Sequence, residues 1–233
     1  MLDKILYNFS RPLIEFAAHL RFDLDVRWHE ALPQGAKIIA PNHPTTTDPI
    51  LIGMLAADRV HILIEETLFK VPLLGQYLTQ TGHVRVVKSN GHTAYEEAKR
   101  LLLAGRTLVI FPEGSISPLE GGFCPPRTGV ARLALETGAP VVPVGIYLDR
   151  SHIRRIETVV EGKTQVGTWY LDGPYAVTGG QALCFQGDVE DREYVRALSQ
   201  RVMQQIIDLA REGEQRLRRL LPVPAMHPSM QPG

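Results

Sequence analysis

AKIIAPNHPTTTDPILIG, residues 36–53, decides the fold. Its first half is a short apolar run, Ile38-Ile39-Ala40, closed by Pro41, the pattern of a buried strand. A polar loop follows, Asn42 to Asp48, and then a second apolar run suited to a helix. The start of that helix is well marked, because Asp48 is a good N-cap and Pro49 fits the first helical position. Strand, loop and helix in this order are the opening of a crossover unit.

Working outward, the same alternation recurs. VHILI at 60–64, HVRVV at 83–87, TLVIF at 107–111 and PVVPVGI at 140–146 read as strands. Helical patterns fill 49–57, 92–104 and 128–137. Strands separated by helices of about ten residues predict a single α/β domain, a largely parallel central sheet flanked by helices. GTWYL and QALCF, near 167–185, are expected as added strands at an antiparallel edge. A long C-terminal helix is predicted over about 190–220, with Val195, Leu198, Val202, Ile206 and Leu209 on one face. Its basic end, REGEQRLRRLL, suits either solvent or an anionic surface.

Residues 1–22 form an amphipathic helical segment, with Leu2, Ile5, Leu6, Phe9, Leu13, Phe16 and Leu20 at helical spacing. Pro12 is expected to interrupt or kink it, with Ser10 capping a second helix. The apolar face has two uses, packing on the domain or lying in a membrane interface. The domain proper is placed at 23–221, and the proline-rich tail 222–233 is expected to be disordered.

Composition excludes several classes. Lysine plus arginine and aspartate plus glutamate are balanced at 25 each, so no global positive field favours nucleic acid. Cys124 and Cys184 lie far apart without metal-ligand spacing, which fits a reducing cytoplasm and neither a disulfide scaffold nor zinc. Neither a secretory leader nor a run of about 18 apolar residues is expected. No P-loop, dinucleotide fingerprint or H-E-x-x-H occurs, so the expectation is no metal and no bound cofactor.

Taken singly, His43 reads as a surface histidine and Asp48 as a helix cap. Together they are sharper: a histidine at the C-terminal end of a strand, where α/β folds place ligands, with a carboxylate five positions on. If the loop folds back, the carboxylate fixes the imidazole tautomer and stabilises the imidazolium formed when the other nitrogen takes a proton. A weakly acidic hydroxyl then becomes a nucleophile.

N-H-P-T-T-T-D, 42–48, resembles the N-H-x-x-x-x-D block of the glycerolipid acyltransferases, the family that includes lysophosphatidic-acid acyltransferase. Three further blocks follow in the family's order: ETLFKVPLLGQYLTQTGHVRVVKS at 66–89, FPEGSIS at 111–117 and APVVPVGI at 139–146. The resemblance spans about 24–147. It implies acyl transfer from acyl-CoA or an acyl carrier protein to a glycerolipid hydroxyl, with lysophosphatidate as the leading acceptor. It also implies peripheral association with the cytoplasmic face of a membrane, the 1–22 segment being the obvious anchor. His43 is then the general base and Asp48 its orienting carboxylate. Glu113, Gly114 and the neighbouring Ser115 belong to the acceptor site, and Arg127, a basic residue ahead of a glycine, is a candidate anion contact. Backbone amides near Gly114 are one possible oxyanion site. A serine hydrolase is disfavoured because the chain has no G-x-S-x-G elbow.

Departures from the family pattern concern cations. Glu65 stands where the second block usually opens with lysine, Lys88 replaces its closing arginine, and Ile116 replaces the arginine of the third block. A phosphate-bearing acceptor must then be neutralised by Lys88 with Arg85, Lys70 or Arg127; lysine acts as a point charge without the bidentate fork of arginine. Two rivals follow: a related acyltransferase for an ornithine lipid or glycolipid, and a non-catalytic lipid-binding protein. Val141, Pro143 and Val144 are expected on an edge strand or the wall of an acyl cavity, with Tyr147 a possible part of that wall.

Overall fold

The structure is a computed structural model that describes residues 2–56, 59–160 and 162–220, with the side chains of 2–11, Lys163 and Leu220 outside the description. The chain opens with α1 (Leu2–Arg21) and β1 (Phe22–Trp28), then β2 (Lys37–Pro41) and α2 (Asp48–Leu55). Next come β3 (Val60–Glu65), a 3-10 turn (Glu66–Lys70), α3 (Leu74–Gln80), β4 (Val84–Val86) and α4 (Gly91–Leu103). β5 (Thr107–Val109), α5 (Gly129–Thr137) and β6 (Val141–Leu148) complete the crossover units. The rest is a two-stranded ribbon, β7 (Ile153–Val160) with β8 (Lys163–Tyr170), then β9 (Gly173–Gly179) and α6 (Arg192–Leu220).

Seven strands form one sheet in the order β1-β9-β6-β2-β5-β3-β4, and only the β6–β9 pairing is antiparallel. The expected α/β class, largely parallel sheet and long final helix are therefore all present. Because β2 to β6 run in parallel, their C-terminal ends gather on one edge of the sheet.

Strand alternation divides the core. Ile38, Ala40, Leu108, Ile110 and Val141 pack against α4, α5 and α6, while Ile39, Val109, Val142, Ile62 and Ile64 face α1, α2 and α3. Each fully buried aliphatic contributes about 1.5–3 kcal/mol, so both faces must be covered for the sheet to persist. On the α6 side, Gly145 is indispensable: a Cβ there would come within 2.0 Å of the Ala210 nitrogen, because helix and strand backbones touch. Arg216 anchors the far end of α6, bonded to Asp25 at 2.6 Å, Glu212 at 3.1 Å and Thr178 Oγ1 at 2.9 Å. Arg218 pairs with Glu214. Much of the charge in REGEQRLRRLL is thus spent within the protein rather than offered to an anionic surface.

Several expectations change. α1 runs unbroken through Pro12, without the break or second cap at Ser10. A proline removes one helical hydrogen bond, and the last turns of α1 are held by Ala18, buried against the α2–α3 side. Pro143 lies on an interior strand, just before the β9 pairing begins, where its carbonyl accepts from the Gly180 amide. GTWYL belongs to β8, whose partner is β7 and not the main sheet, and QALCF supplies a single bridge, Leu183 to Val141. β1, β7, β9 and α3 had no expectation. The 222–233 tail lies outside the described residues.

Candidate active site

His43 leaves the end of β2 and Asp48 opens α2, as the 36–53 stretch requires. Asp48 does not act as a plain cap: Thr47 takes the capping position, and the Asp48 carboxylate turns back into the loop. His43 Nδ1 lies 3.0 Å from Asp48 Oδ2. That oxygen also accepts from the Thr45 amide at 2.7 Å, and Oδ1 accepts from Thr45 Oγ1 at 2.7 Å and Tyr175 OH at 2.9 Å. Four donors converge on a carboxylate with no solvent exposure, so both of its oxygens act as acceptors. The proton between Asp48 and His43 therefore sits on Nδ1, leaving Nε2 as the basic nitrogen.

Tyr175, fully buried on β9, had no place in the sequence reading because nothing local marks it; the β6–β9 pairing brings it in from 127 positions away. Burial first, and the Asp48 charge second, push its phenol well above the usual range, so it remains a donor.

The three threonines are also explained. Thr45 holds Asp48, whereas Thr46 and Thr47 stitch the loop to β8: the Thr46 amide donates to Thr168 O at 2.6 Å, and Thr47 Oγ1 donates to Tyr170 O at 2.8 Å. Asn42, buried beside them, clamps β6 through Ile146 in both directions, donating at 3.0 Å and accepting at 2.7 Å.

From β5 arrives the 111–117 turn. Phe111 stacks beneath the His43 ring with centroids 4.1 Å apart. Glu113, 3% exposed, accepts from the His43 amide at 2.9 Å, Ser117 Oγ at 2.8 Å and the Cys124 amide at 2.6 Å. The Ser117 amide returns a bond to His43 O at 2.8 Å. The Glu113 carboxylate is thus engaged by its own chain, and it fixes the histidine loop to this turn. Gly114, at φ +66°, donates its amide to Phe111 O, so that amide is not available to an oxyanion. A Cβ on Gly114 would fall 2.4 Å from Arg127 Nε, because the arginine lies across the glycine. Arg127 and Ser115 are both exposed beside this turn.

The structure therefore brings His43, Asp48, Glu113, Gly114, Ser115 and Arg127 together. Arg85 and Lys88 stand on β4 and just beyond it, three strands from β2 and roughly 14 Å away at about 4.8 Å per strand. Arg85 lies over the Phe69 ring, 4.7 Å from its centroid. Lys88 Nζ pairs with Glu65 Oε1 at 2.9 Å, so two of the positions that depart from the family pattern face each other as one exposed ion pair. Among the described residues no cluster of histidine, cysteine or carboxylate groups is arranged to hold a metal.

The site is thus a histidine–carboxylate pair on the carboxyl edge of a largely parallel sheet, the edge at which α/β folds place their ligands. The sequence model of the Acyltransferase family matches residues 23–147, more than half of the chain, and the chain belongs to that family. It is 32% identical over 107 residues to a 1-acyl-sn-glycerol-3-phosphate acyltransferase of Cocos nucifera, covering 44% of this chain and 34% of the relative. A Limnanthes alba protein of the same name is 32% identical over 111 residues, covering 46% and 39%. An uncharacterised Mycobacterium tuberculosis protein is 27% identical over 152 residues, covering 58% and 40%. These matches span well under half of each relative. In fold, the chain resembles the crystal structure of the 1-acyl-sn-glycerophosphate acyltransferase PlsC from Thermotoga maritima, with TM-score 0.58 at 23% identity, covering 87% of this chain and 79% of that one.

Proposed function

We propose that this protein transfers a fatty acyl group from acyl-CoA or an acyl carrier protein to a lysolipid hydroxyl, with lysophosphatidate the leading acceptor. The observation that carries the reading is the His43–Asp48 contact at 3.0 Å, with the carboxylate buried and its remaining acceptor positions filled. His43 Nε2 takes the proton of the acceptor hydroxyl, whose oxygen attacks the thioester carbonyl. The carbon–sulfur bond breaks, and the proton passes to the departing thiolate. Asp48 holds the imidazolium while it exists.

A cavity of about 280 Å³ supports a long-chain donor. It is lined by Pro49 and Ile50 of the first turn of α2, by Ile62 of β3 and by Leu74 and Leu78 of α3. Ile14 of α1 closes one side. The opposite face of α1 presents Leu13, Phe16 and Leu20, each at least 65% exposed, and Leu73 stands nearby at 79%. Exposed apolar side chains on the helix that covers an apolar cavity support peripheral attachment to a membrane, where the lysolipid acceptor and the acylated product would reside. No described helix is long and apolar enough to cross a bilayer.

The Glu65–Lys88 pair favours a second reading of the acceptor, because the glutamate beside that lysine would repel a phosphate. In that reading the chemistry is the same and the acceptor is an ornithine lipid or glycolipid. One experiment tests both. Purified protein and His43→Ala are incubated in detergent with labelled long-chain acyl-CoA and a panel of lysolipids. Label entering one lysolipid with wild type alone establishes the transfer and names the acceptor; equal label with His43→Ala overturns the mechanism.

A further inference from the structure

The wall of the 280 Å³ cavity is apolar except at Tyr77 and His83. His83 precedes β4, level with Ile62 of β3, and the Ile62 amide donates to its Nδ1 at 3.1 Å. A nitrogen that accepts carries no proton, so in the neutral ring the proton is on Nε2. The ring is neutral at pH 7: burial, then the nearby His61 and Arg59, push its pKa down to about 4. Among the described residues no acceptor meets Nε2. A site otherwise made for methylene groups therefore contains two polar groups, the Tyr77 hydroxyl and the His83 ring, and it is the His83 Nε2–H that stands without an acceptor among the described residues.

A plain alkyl chain filling this space would seal that donor from water with nothing to accept from it, an unfavourable arrangement. A chain with an oxygen at that depth would satisfy it. Resting on the acyl-transfer reading above, we infer that His83 is a specificity residue that selects acyl donors bearing a hydroxyl or keto oxygen on the buried part of the chain. By strand register His83 is level with Ile39 of β2, four residues or roughly 13 Å below His43 and three strands, roughly 14 Å, to one side. The oxygen is accordingly placed well along the chain from the thioester.

The test uses the whole protein with a lysolipid acceptor and CoA thioesters of one chain length, plain or hydroxylated at successive positions. Expected is one position at which kcat/KM exceeds that of the plain chain by on the order of tenfold. In His83→Asn the side-chain oxygen can still accept from Ile62, while the remaining amide N–H donors lie closer to the backbone than Nε2 did, and the preference should fall to within about twofold. Uniform use of all thioesters by wild type overturns the role of His83 while leaving acyl transfer standing, and this comparison needs no variant. A preference unchanged in His83→Asn, or in the shorter-reaching His83→Ala, also overturns it. Failure of wild type to use any thioester, plain or hydroxylated, presented on CoA or on an acyl carrier protein, overturns the acyl-transfer reading and this inference with it.

Discussion

Asp48→Asn is the most informative perturbation, because the structure dictates how the amide must sit. With its nitrogen toward His43 it would confront the Thr45 amide, donor against donor. Turned the other way, its oxygen keeps the Thr45 amide and His43 Nδ1–H, and its nitrogen faces the hydroxyls of Thr45 and Tyr175, which rotate to accept. The tautomer of His43 is therefore preserved, and only the charge is lost. At 3.0 Å, a unit charge pair is worth about 5 kcal/mol at an effective dielectric of about 20. Delocalisation over the imidazolium reduces this to about 3–4 kcal/mol, a fall in kcat/KM of about 10²–10³. Stability should change little, since a buried charge is removed while the hydrogen bonds around it are kept, two of them with donor and acceptor exchanged. Initial rates of acyl transfer across a range of acceptor concentrations, with thermal unfolding in parallel, measure both. Activity within tenfold of wild type, with the fold intact, would refute the claim that Asp48 acts through its charge.

Four further outcomes are expected. Glu113→Gln has no orientation that satisfies the His43 and Cys124 amides at once, so it should lower stability by about 1–3 kcal/mol, several degrees in Tm, and reduce activity with it. Gly114→Ala forces a left-handed alanine against Arg127, and steady-state kinetics should show KM for the acceptor rising while KM for the donor holds. His83 is neutral when folded, its pKa lowered from 6.5 to about 4, so its contribution is whole above pH 6.5 and is lost as pH falls through 4. Denaturant titrations should show up to about 3 kcal/mol of acid destabilisation in that window that His83→Asn lacks. Lys88→Ala breaks an exposed pair and should leave stability within about 0.5 kcal/mol; if lysophosphatidate is the acceptor, its apparent affinity should weaken, and an unchanged affinity removes Lys88 from phosphate binding.

The sequence alone determined whatever is written at short range. Strand, loop and helix over 36–53, the alternating units after it and the position of His43 and Asp48 on one sheet edge follow from apolar periodicity and from residues with fixed backbone preferences. Family membership was legible for the same reason, as four short blocks in order. What the sequence could not determine depends on contacts between distant positions. Tyr175 reaches Asp48 only through the β6–β9 pairing, and Thr46 and Thr47 find Thr168 and Tyr170 only once the ribbon has folded over the loop. β1, FDLDVRW, is half-buried and carries two carboxylates, so its composition hides a strand that becomes one only by pairing with β9. Glu113 looked like an acceptor contact because its turn emerges at the right edge; tertiary structure surrounds its carboxylate with three donors of the protein itself. A buried carboxylate takes the partners that replace its lost water, and where those partners lie is a property of the folded chain rather than of any local stretch.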